Sequence, residues 1–191
     1  MTRRLAAAAV HGRFQPLHNG HLEYILAAKE MCDFLYVGLT QLTIGRLQDV
    51  SVAAPHRATR LNNPLTYFER LSLLREALTD AGVSSDSCLV VPFPIEDDGG
   101  RYLSEFLPLT VPMLTTVYDD WNREKVALLR GLGYRVEILW ERNSKDVVGS
   151  TVRESILIGD GRYAEMVPAA TARAVEQLDL AARLAQLRQA R

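Results

Sequence analysis

The 191-residue sequence has few cysteines, few lysines and no long apolar run. The two cysteines, Cys32 and Cys88, form no CxxC pattern, so we expect neither a disulfide framework nor a zinc ribbon but a reducing, cytoplasmic setting. No apolar run approaches the roughly 20 residues that a membrane-spanning helix requires, so we expect no membrane partner. The formal net charge of −1 excludes a strongly basic protein, and we expect no nucleic-acid partner.

The cationic residues are divided unevenly, because 19 of the 22 are Arg and only three are Lys. The planar guanidinium of Arg binds carboxylate and phosphate in a bidentate way. Codon bias explains most of this excess. A few of these arginines are informative if they lie where a phosphate would bind.

Short apolar runs alternate with helical patterns along the chain, and the runs are continuous, as in a parallel sheet covered on both faces. This alternation predicts an α/β fold, a Rossmann-like doubly wound parallel sheet of about five strands with a C-terminal helical segment. The predicted strands cover residues 5–10, 34–39, 88–91, 114–118 and 135–139, and the predicted helices cover residues 21–31, 66–81, 122–132, 150–158 and 169–189.

The helix predicted over residues 66–81 has a clear beginning and an apolar face. Thr66 and Glu69 have the spacing of a capping box, in which each side chain binds the backbone N–H of the other. Four apolar residues recur at helical spacing, which predicts that they face the core. These residues are Phe68, Leu71, Leu74 and Leu78.

Two of the four histidines lie in the tetrapeptide His18-Asn19-Gly20-His21, between the first predicted strand and the first predicted helix. Gly20 lets a ligand approach the backbone, and His21 lies in the first helical turn, where N–H groups and the helix dipole favour an anion. We interpret the motif as a cradle for a phosphate whose charge grows in a transition state. In the alternative interpretation one His caps a turn and the other is buried. A zinc site lacks further ligands at supporting spacing.

Ser150 and Thr151 stand at the start of another predicted helix, with Arg153 close behind them. Ser and Thr are good helix caps, and a phosphate-binding role is the other interpretation that their chemistry allows.

Other candidates follow the ends of predicted strands, where doubly wound sheets bind ligands. The loop over residues 40–63 is long, and its arginines either close over bound phosphates or are solvated. Aspartates in two loops either orient the substrates or Mg²⁺, or form turns. A tryptophan either stacks on a ring of the substrate or packs in the core. These candidates are Arg57, Arg60, Asp97, Asp119 and Trp121, and under the family resemblance described next they become candidates for binding the acceptor substrate.

Residues 12–21, GRFQPLHNGH, resemble the HxGH signature of the nucleotidyltransferase α/β-phosphodiesterase superfamily, and are most similar to the archaeal-type nicotinamide mononucleotide (NMN) adenylyltransferases. Residues 150–153 match the second signature, ISSTxxR, and residues 63–70 are similar to the NPFTAGER segment of those enzymes. The resemblance extends over most of residues 5–170. It implies a nucleotidyltransferase domain over residues 1–170, a C-terminal helix over residues 171–191 that packs on the domain or at a subunit interface, and a homo-oligomer.

The resemblance also implies roles for individual residues. The histidines stabilise charge on the α- and β-phosphates, and the arginines of the two motifs bind the phosphate tail. Mg²⁺ is expected as cofactor, held mainly through the substrate phosphates. The implied catalytic residues are His18, His21 and Arg153, and the implied nucleotide- and phosphate-binding residues are Gly12, Arg13, Phe14, Gln15, Gly20, Ser150 and Thr151.

Departures from the family pattern lie on the acceptor side. The Trp expected after the third strand is replaced by Tyr102 or absent, and residues 118–122 stand where a Ser-Gly-Asn-like element is expected. These departures favour transfer of CMP or AMP from CTP or ATP to the phosphate or phosphonate oxygen of a small acceptor, with release of pyrophosphate. The alternatives are an NMN adenylyltransferase, which makes NAD from ATP and NMN, and a non-catalytic nucleotide sensor. The presence of both motif histidines argues against the sensor.

Overall fold

The computed structural model describes residues 4–47 and 58–190. Within these residues, five parallel strands form one sheet in the order β3-β2-β1-β4-β5. β1 pairs with β2 on one side and with β4 on the other. The strand order therefore reverses between β1 and β4, which is where doubly wound sheets bind ligands. The strands are β1 (Leu5–Gly12), β2 (Cys32–Leu39), β3 (Cys88–Pro92), β4 (Met113–Val117) and β5 (Val136–Glu141).

Helices connect the strands and continue after the last one. The predicted α/β fold, a Rossmann-like parallel sheet with a C-terminal helical segment, is confirmed. In the described part of the chain the α-helices are α1 (Asn19–Glu30), α2 (Tyr67–Asp80), α3 (Asp120–Gly131), α4 (Gly149–Ile158), α5 (Tyr163–Met166), α6 (Ala169–Gln177) and α7 (Leu180–Gln189).

The central strand buries alternate residues against two different layers. Ala8 and Val10 belong to the larger apolar cluster, which includes side chains of α1, α2, α4, α6 and α7. Ala9 belongs to the smaller cluster, to which α3 contributes Val126 and Leu129. Because successive strand residues point to opposite faces, both faces of β1 are covered, which explains its continuous apolar run.

The start of α2 agrees with the predicted capping box, because Thr66 Oγ1 accepts a hydrogen bond from Glu69 N (3.2 Å) and Glu69 Oε2 accepts one from Thr66 N (2.7 Å). The predicted apolar face is wrong at Phe68, whose side chain is 72% exposed. Arg70, which is fully buried, occupies the core-facing side instead. Two residues correspond to about 200° of helical rotation, so burial of Arg70 turns Phe68 towards solvent.

The helix predicted over residues 169–189 is interrupted. Asp179 adopts a left-handed conformation (φ 43°) between α6 and α7, and its side chain accepts a hydrogen bond from Ala182 N at the start of α7. The break lets α6 pack on α2 and α7 pack on α4, where Leu180 and Leu184 join the larger apolar cluster. In the described ranges, no helix is both long and apolar enough to cross a membrane.

Candidate active site

A cavity of about 450 Å³ lies at the carboxyl ends of β1 and β4, where the strand order reverses. This volume is in the range of small-molecule binding sites. Its walls come from the β1–α1 loop, the segment that follows β3, one face of α3, and the start of α4. Of the predicted site residues, it brings together Gly12, Arg13, Phe14, Gln15, His18, Gly20, His21, Trp121, Ser150 and Arg153.

His18 both caps α1 and faces the cavity. Its Nδ1 atom accepts a hydrogen bond from His21 N (3.3 Å), so the neutral ring carries its proton on Nε2. The rings of His18 and His21 stack with centroids 3.5 Å apart, and the edge of Phe14 contacts His21 at a centroid distance of 5.0 Å. The structural interpretation of His18 as a cap is therefore compatible with a catalytic one.

Both motif histidines are neutral at neutral pH. Burial, reinforced by the charges of Lys145 and Arg153, lowers the pKa of His18 to about 4. Burial and the neighbouring His18 lower the pKa of His21 well below its ordinary value. His21 Nδ1 has no hydrogen-bond partner among the described residues. The pair thus presents hydrogen-bonding groups, rather than fixed charges, to a phosphate.

Several motif residues have structural contacts that the motif itself does not reveal. The Gln15 amide bonds to both backbone groups of Leu65, donating to its carbonyl (2.8 Å) and accepting from its N–H (2.9 Å). A Cβ atom at Gly12 would lie 2.8 Å from the Phe14 ring, so a larger residue would displace that ring. A Cβ atom at Gly20 would make only an ordinary contact with the His18 ring, at 3.5 Å. The nucleotide-binding roles of these residues stay predictions.

The second motif places the start of α4 beside His18. The residue before the helix, Val148, makes no side-chain capping bond, and no acidic residue lies in the first turn. Unsatisfied N–H groups at such a helix start favour an anion. Ser150 lines the cavity, whereas Thr151 is exposed and is not among the lining residues.

Arg153 is buried one turn into α4 and connects two loops. Its guanidinium donates to the Gln15 carbonyl (2.7 Å) and to Asn62 Oδ1. Burial lowers its pKa to about 10, so Arg153 keeps its positive charge at neutral pH.

The acceptor-binding candidates mostly have other roles in the structure. Trp121 lines the cavity and is half-buried. Asp119 caps α3 by accepting a hydrogen bond from Asn122 N (2.9 Å), and it pairs with Lys145 (3.5 Å). Arg60 donates to the Asn63 carbonyl (3.2 Å) in its own turn, and Asp97 is exposed. Arg60, Asp97 and Asp119 are not among the lining residues, and Arg57 lies outside the described residues.

The sequence analysis missed many cavity residues, among them three ionisable groups from separate parts of the chain. His11 is the last but one residue of β1, Glu96 follows β3, and Lys125 lies on α3. The scarcity of Lys was a weak signal for Lys125, because only three lysines occur in the chain. In the described part of the chain, no group of three or more His, Cys, Asp or Glu residues could hold a metal ion.

Comparisons with known proteins agree with this geometry. The cytidylyltransferase-like family model matches residues 9–151. The chain is 39% identical to a phosphonoformate cytidylyltransferase of Streptomyces viridochromogenes, over 92% of this chain and 93% of that protein. It is 27% identical to a nicotinamide-nucleotide adenylyltransferase of Ignicoccus hospitalis, over 92% of this chain and 94% of that one.

A solved structure shows the same fold at lower identity. A bifunctional NMN adenylyltransferase/ADP ribose pyrophosphatase from Francisella tularensis, complexed with AMP and a manganese ion, superimposes with a TM-score of 0.58 and 15% identity. The match covers 81% of this chain and 42% of the Francisella chain. With the family model and the Streptomyces relative, it leads to one conclusion: the chain belongs to the cytidylyltransferase-like family and is a nucleotidyltransferase.

Proposed function

We propose that this enzyme transfers CMP from CTP to a phosphonate or phosphate oxygen of a small acceptor and releases pyrophosphate. One observation carries the proposal: the chain is 39% identical to a phosphonoformate cytidylyltransferase, against 27% to an NMN adenylyltransferase, with 92% of the chain covered in both cases. The cavity is consistent with the choice of acceptor, because Ile95 and Glu96, rather than Tyr102, line it after β3.

The triphosphate binds at what we term the phosphate end of the cavity, formed by His18, His21, Arg153 and the first turns of α1 and α4. Two helix starts favour negative charge there, and Arg153 and Arg13 add positive side chains. The Nε2–H group of His18 donates to a phosphate oxygen. Because these donors are already in place, they stabilise the charge that develops during transfer without rearranging.

The reaction is a single in-line displacement. A phosphonate oxygen of the acceptor attacks the α-phosphorus of CTP, and a new P–O bond forms. The bond between the α-phosphorus and the oxygen that bridges to the β-phosphate breaks, and its electron pair leaves with pyrophosphate. No covalent intermediate on the enzyme is needed, because both substrates lie side by side in one cavity.

Mg²⁺ fits this site as an ion that enters bound to the phosphates of the substrate. The described residues offer no metal-binding cluster of acidic, His or Cys side chains, so the oxygen ligands that Mg²⁺ prefers would come mainly from the phosphates. Bound there, Mg²⁺ shares the negative charge of the triphosphate. Among the residues described, Arg153 and Lys145 supply positive charge from the protein side of the cavity.

We further propose that residues 1–170 carry the catalytic groups, in a homo-oligomer, and that residues 171–191 support them. The Thr171 hydroxyl donates to the Leu17 carbonyl (3.0 Å), directly before His18. Arg183 on α7 pairs with Glu69 of the α2 capping box. Through these contacts, α6 and α7 hold the loops that shape the phosphate end.

Pyrophosphate release tests the proposal most directly. The enzyme is incubated with Mg²⁺, each of the four common NTPs, and an acceptor panel of phosphonoformate, methylphosphonate, glycerol 3-phosphate and NMN. We expect the highest rate with CTP and a phosphonate. Release with ATP and NMN alone would establish the NMN adenylyltransferase, which the Ignicoccus relative favours. CTP binding without release from any pair would indicate the sensor.

A further inference from the structure

His11 is a buried histidine whose ring has unmet hydrogen-bonding capacity. It is 3% exposed, lines the cavity, and stacks on Phe93 with ring centroids 4.6 Å apart. Neither of its ring nitrogens has a hydrogen-bond partner among the described residues. Burial lowers its pKa well below the ordinary value, so the ring is neutral and offers one N–H donor and one lone pair. Buried polar groups are nearly always paired, so the ring points to a ligand.

The backbone of His11 is held firmly in place. Its N–H donates to the hydroxyl of Tyr24 (3.3 Å), and that hydroxyl donates to the Leu114 carbonyl (2.7 Å). Tyr24 thereby links α1 to the two central strands. Phe93 stacks on the His11 ring and this link holds the His11 backbone, and a donor held in this way loses little freedom when a ligand binds.

Lys125 lies on the face of α3 that forms one wall of the cavity. Trp121, Lys125 and Leu128 all line the cavity, and their spacing of four and three residues places them on one helical face. Burial lowers the pKa of His11 and of His21 and raises the pKa of Glu96, and the charge of Lys125 acts on all three groups. The positive charge of Lys125 is therefore close enough to affect groups both on β1 and on the segment after β3.

The charged side chains around Glu96 favour binding of an anionic ligand. Glu96 is a buried side chain that accepts a hydrogen bond from Gln41 N (3.1 Å). Burial lowers the pKa of Arg70 to about 10, and the charge of Glu96 opposes that shift. Arg70 and Lys125 thus both interact electrostatically with the buried Glu96. The other carboxylates of the lining, on Glu23, Glu124 and Asp146, belong to solvent-exposed residues.

We propose that His11 and Lys125 form an acceptor subsite that binds a carboxylate at the end of the acceptor opposite its phosphonate or phosphate group. Lys125 supplies the positive charge and the His11 ring donates an N–H hydrogen bond. We term this region, with Glu96, the acceptor end. The inference rests on the proposed function, and it narrows the acceptor to a short molecule with two anionic groups, because one cavity of about 450 Å³ must also admit CTP.

The test compares two acceptors that differ by the carboxylate. Wild type, Lys125→Met and His11→Phe are assayed with CTP and either phosphonoformate or methylphosphonate. For Lys125→Met we expect the ratio of the two kcat/KM values to fall by about 10- to 100-fold, as for loss of a charge-assisted contact. The fall should appear in KM for phosphonoformate rather than in KM for CTP. His11→Phe keeps the stacking on Phe93, and we expect a ratio lowered by about fivefold or more, since a neutral donor is lost.

Lys29→Met is the matched control, because Lys29 lies at the end of α1 and bonds to the Cys32 and Asp33 carbonyls outside the cavity. An unchanged acceptor ratio in Lys125→Met would overturn the subsite. If wild type turns over neither phosphonate, the choice of a phosphonate acceptor fails, and calorimetric titration with phosphonoformate decides on the subsite. At least tenfold weaker binding by Lys125→Met than by wild type would support it, and equal binding would overturn it.

Discussion

The two ends of the cavity differ in the kinds of group that we propose bind anions. At the phosphate end, helix N-termini and two neutral imidazoles surround a single buried arginine. At the proposed acceptor end, the groups are a lysine, a carboxylate and a ring whose nitrogens have no hydrogen-bond partner within the described residues. Backbone dipoles are fixed by the fold and serve any triphosphate. Side chains can change one at a time, so the acceptor end can alter its specificity while the phosphate end keeps the chemistry.

The largest expected effect is the loss of catalysis at the phosphate end. Asn is a good helix cap, so His18→Asn keeps the start of α1 and removes only the imidazole. We expect kcat to fall by about 10²- to 10⁴-fold, because a fixed donor to the transition state is lost. Pyrophosphate release measures kcat, and thermal unfolding checks that the fold persists. Turnover within about threefold of wild type would show that His18 does not act in catalysis, and the proposed difference between the two ends would then be wrong.

Arg70 gives the next largest effect, this time on stability. Its guanidinium donates to the carbonyls of Arg13 (2.9 Å), Thr40 (2.7 Å) and Gln41 (2.7 Å), and so joins the β1–α1 loop to the end of β2. Arg70→Met removes the donor to these buried carbonyls and one of the two cations that act on Glu96, which should lower the free energy of unfolding by about 3–4 kcal/mol. Urea unfolding provides the measurement.

The matched control for Arg70 is Arg75→Met, an exposed position on the same helix, where we expect a change within about 0.5 kcal/mol. Because Gln41 N also bonds Glu96, the Arg70 variant should raise KM for the acceptor more than KM for CTP. Equal increases would show that the two ends are not independent.

The next largest effect is the loss of folding stability at low pH, which we assign to His18 at the phosphate end. The pKa of His18 is lowered from 6.5 to about 4, so the unfolded chain binds a proton below pH 6.5 that the folded chain does not. Stability therefore falls as the pH drops from 6.5 towards 4 and levels off below that. Between about pH 7 and pH 4.5, wild type should lose about 2–3 kcal/mol more than His18→Asn. Parallel pH curves for the two proteins, from urea unfolding, would contradict the assignment.

The sheet, most helices and the meeting of the two motifs at one cavity could be predicted because their signals are local. A strand or helix shows its periodicity within a few residues. The two motif histidines are three positions apart at the start of a helix, so their separation in sequence already brings them together. The break at Asp179 was missed because a left-handed residue other than Gly has no strong signal, and periodicity continues across it.

The acceptor end could not be predicted because its residues come from distant parts of the chain. His11, Glu96 and Lys125 meet only after β1, β3 and α3 have packed. Arg70 resembles a surface arginine until the carbonyls around it are known. Gln15 belongs to the motif, yet its amide bonds to Leu65, 50 residues away. Local patterns say which residues share a helix face or a loop, and long-range packing decides which of them touch a ligand.

The smallest expected effect concerns Asp119. Two variants distinguish a role as helix cap from a role in binding the acceptor. Asp119 caps α3, the helix that carries Trp121 and Lys125. Its carboxylate accepts a hydrogen bond from Asn122 N. Asp119→Ala should lower the free energy of unfolding by about 1 kcal/mol, whereas Asp119→Asn, which restores a capping oxygen, should stay within about 0.5 kcal/mol of wild type. Asp120→Ala, one residue further on and exposed, is the control. If Asp119→Asn is stable but has an acceptor KM raised about tenfold, the carboxylate binds the acceptor directly, and the acceptor end extends to the start of α3.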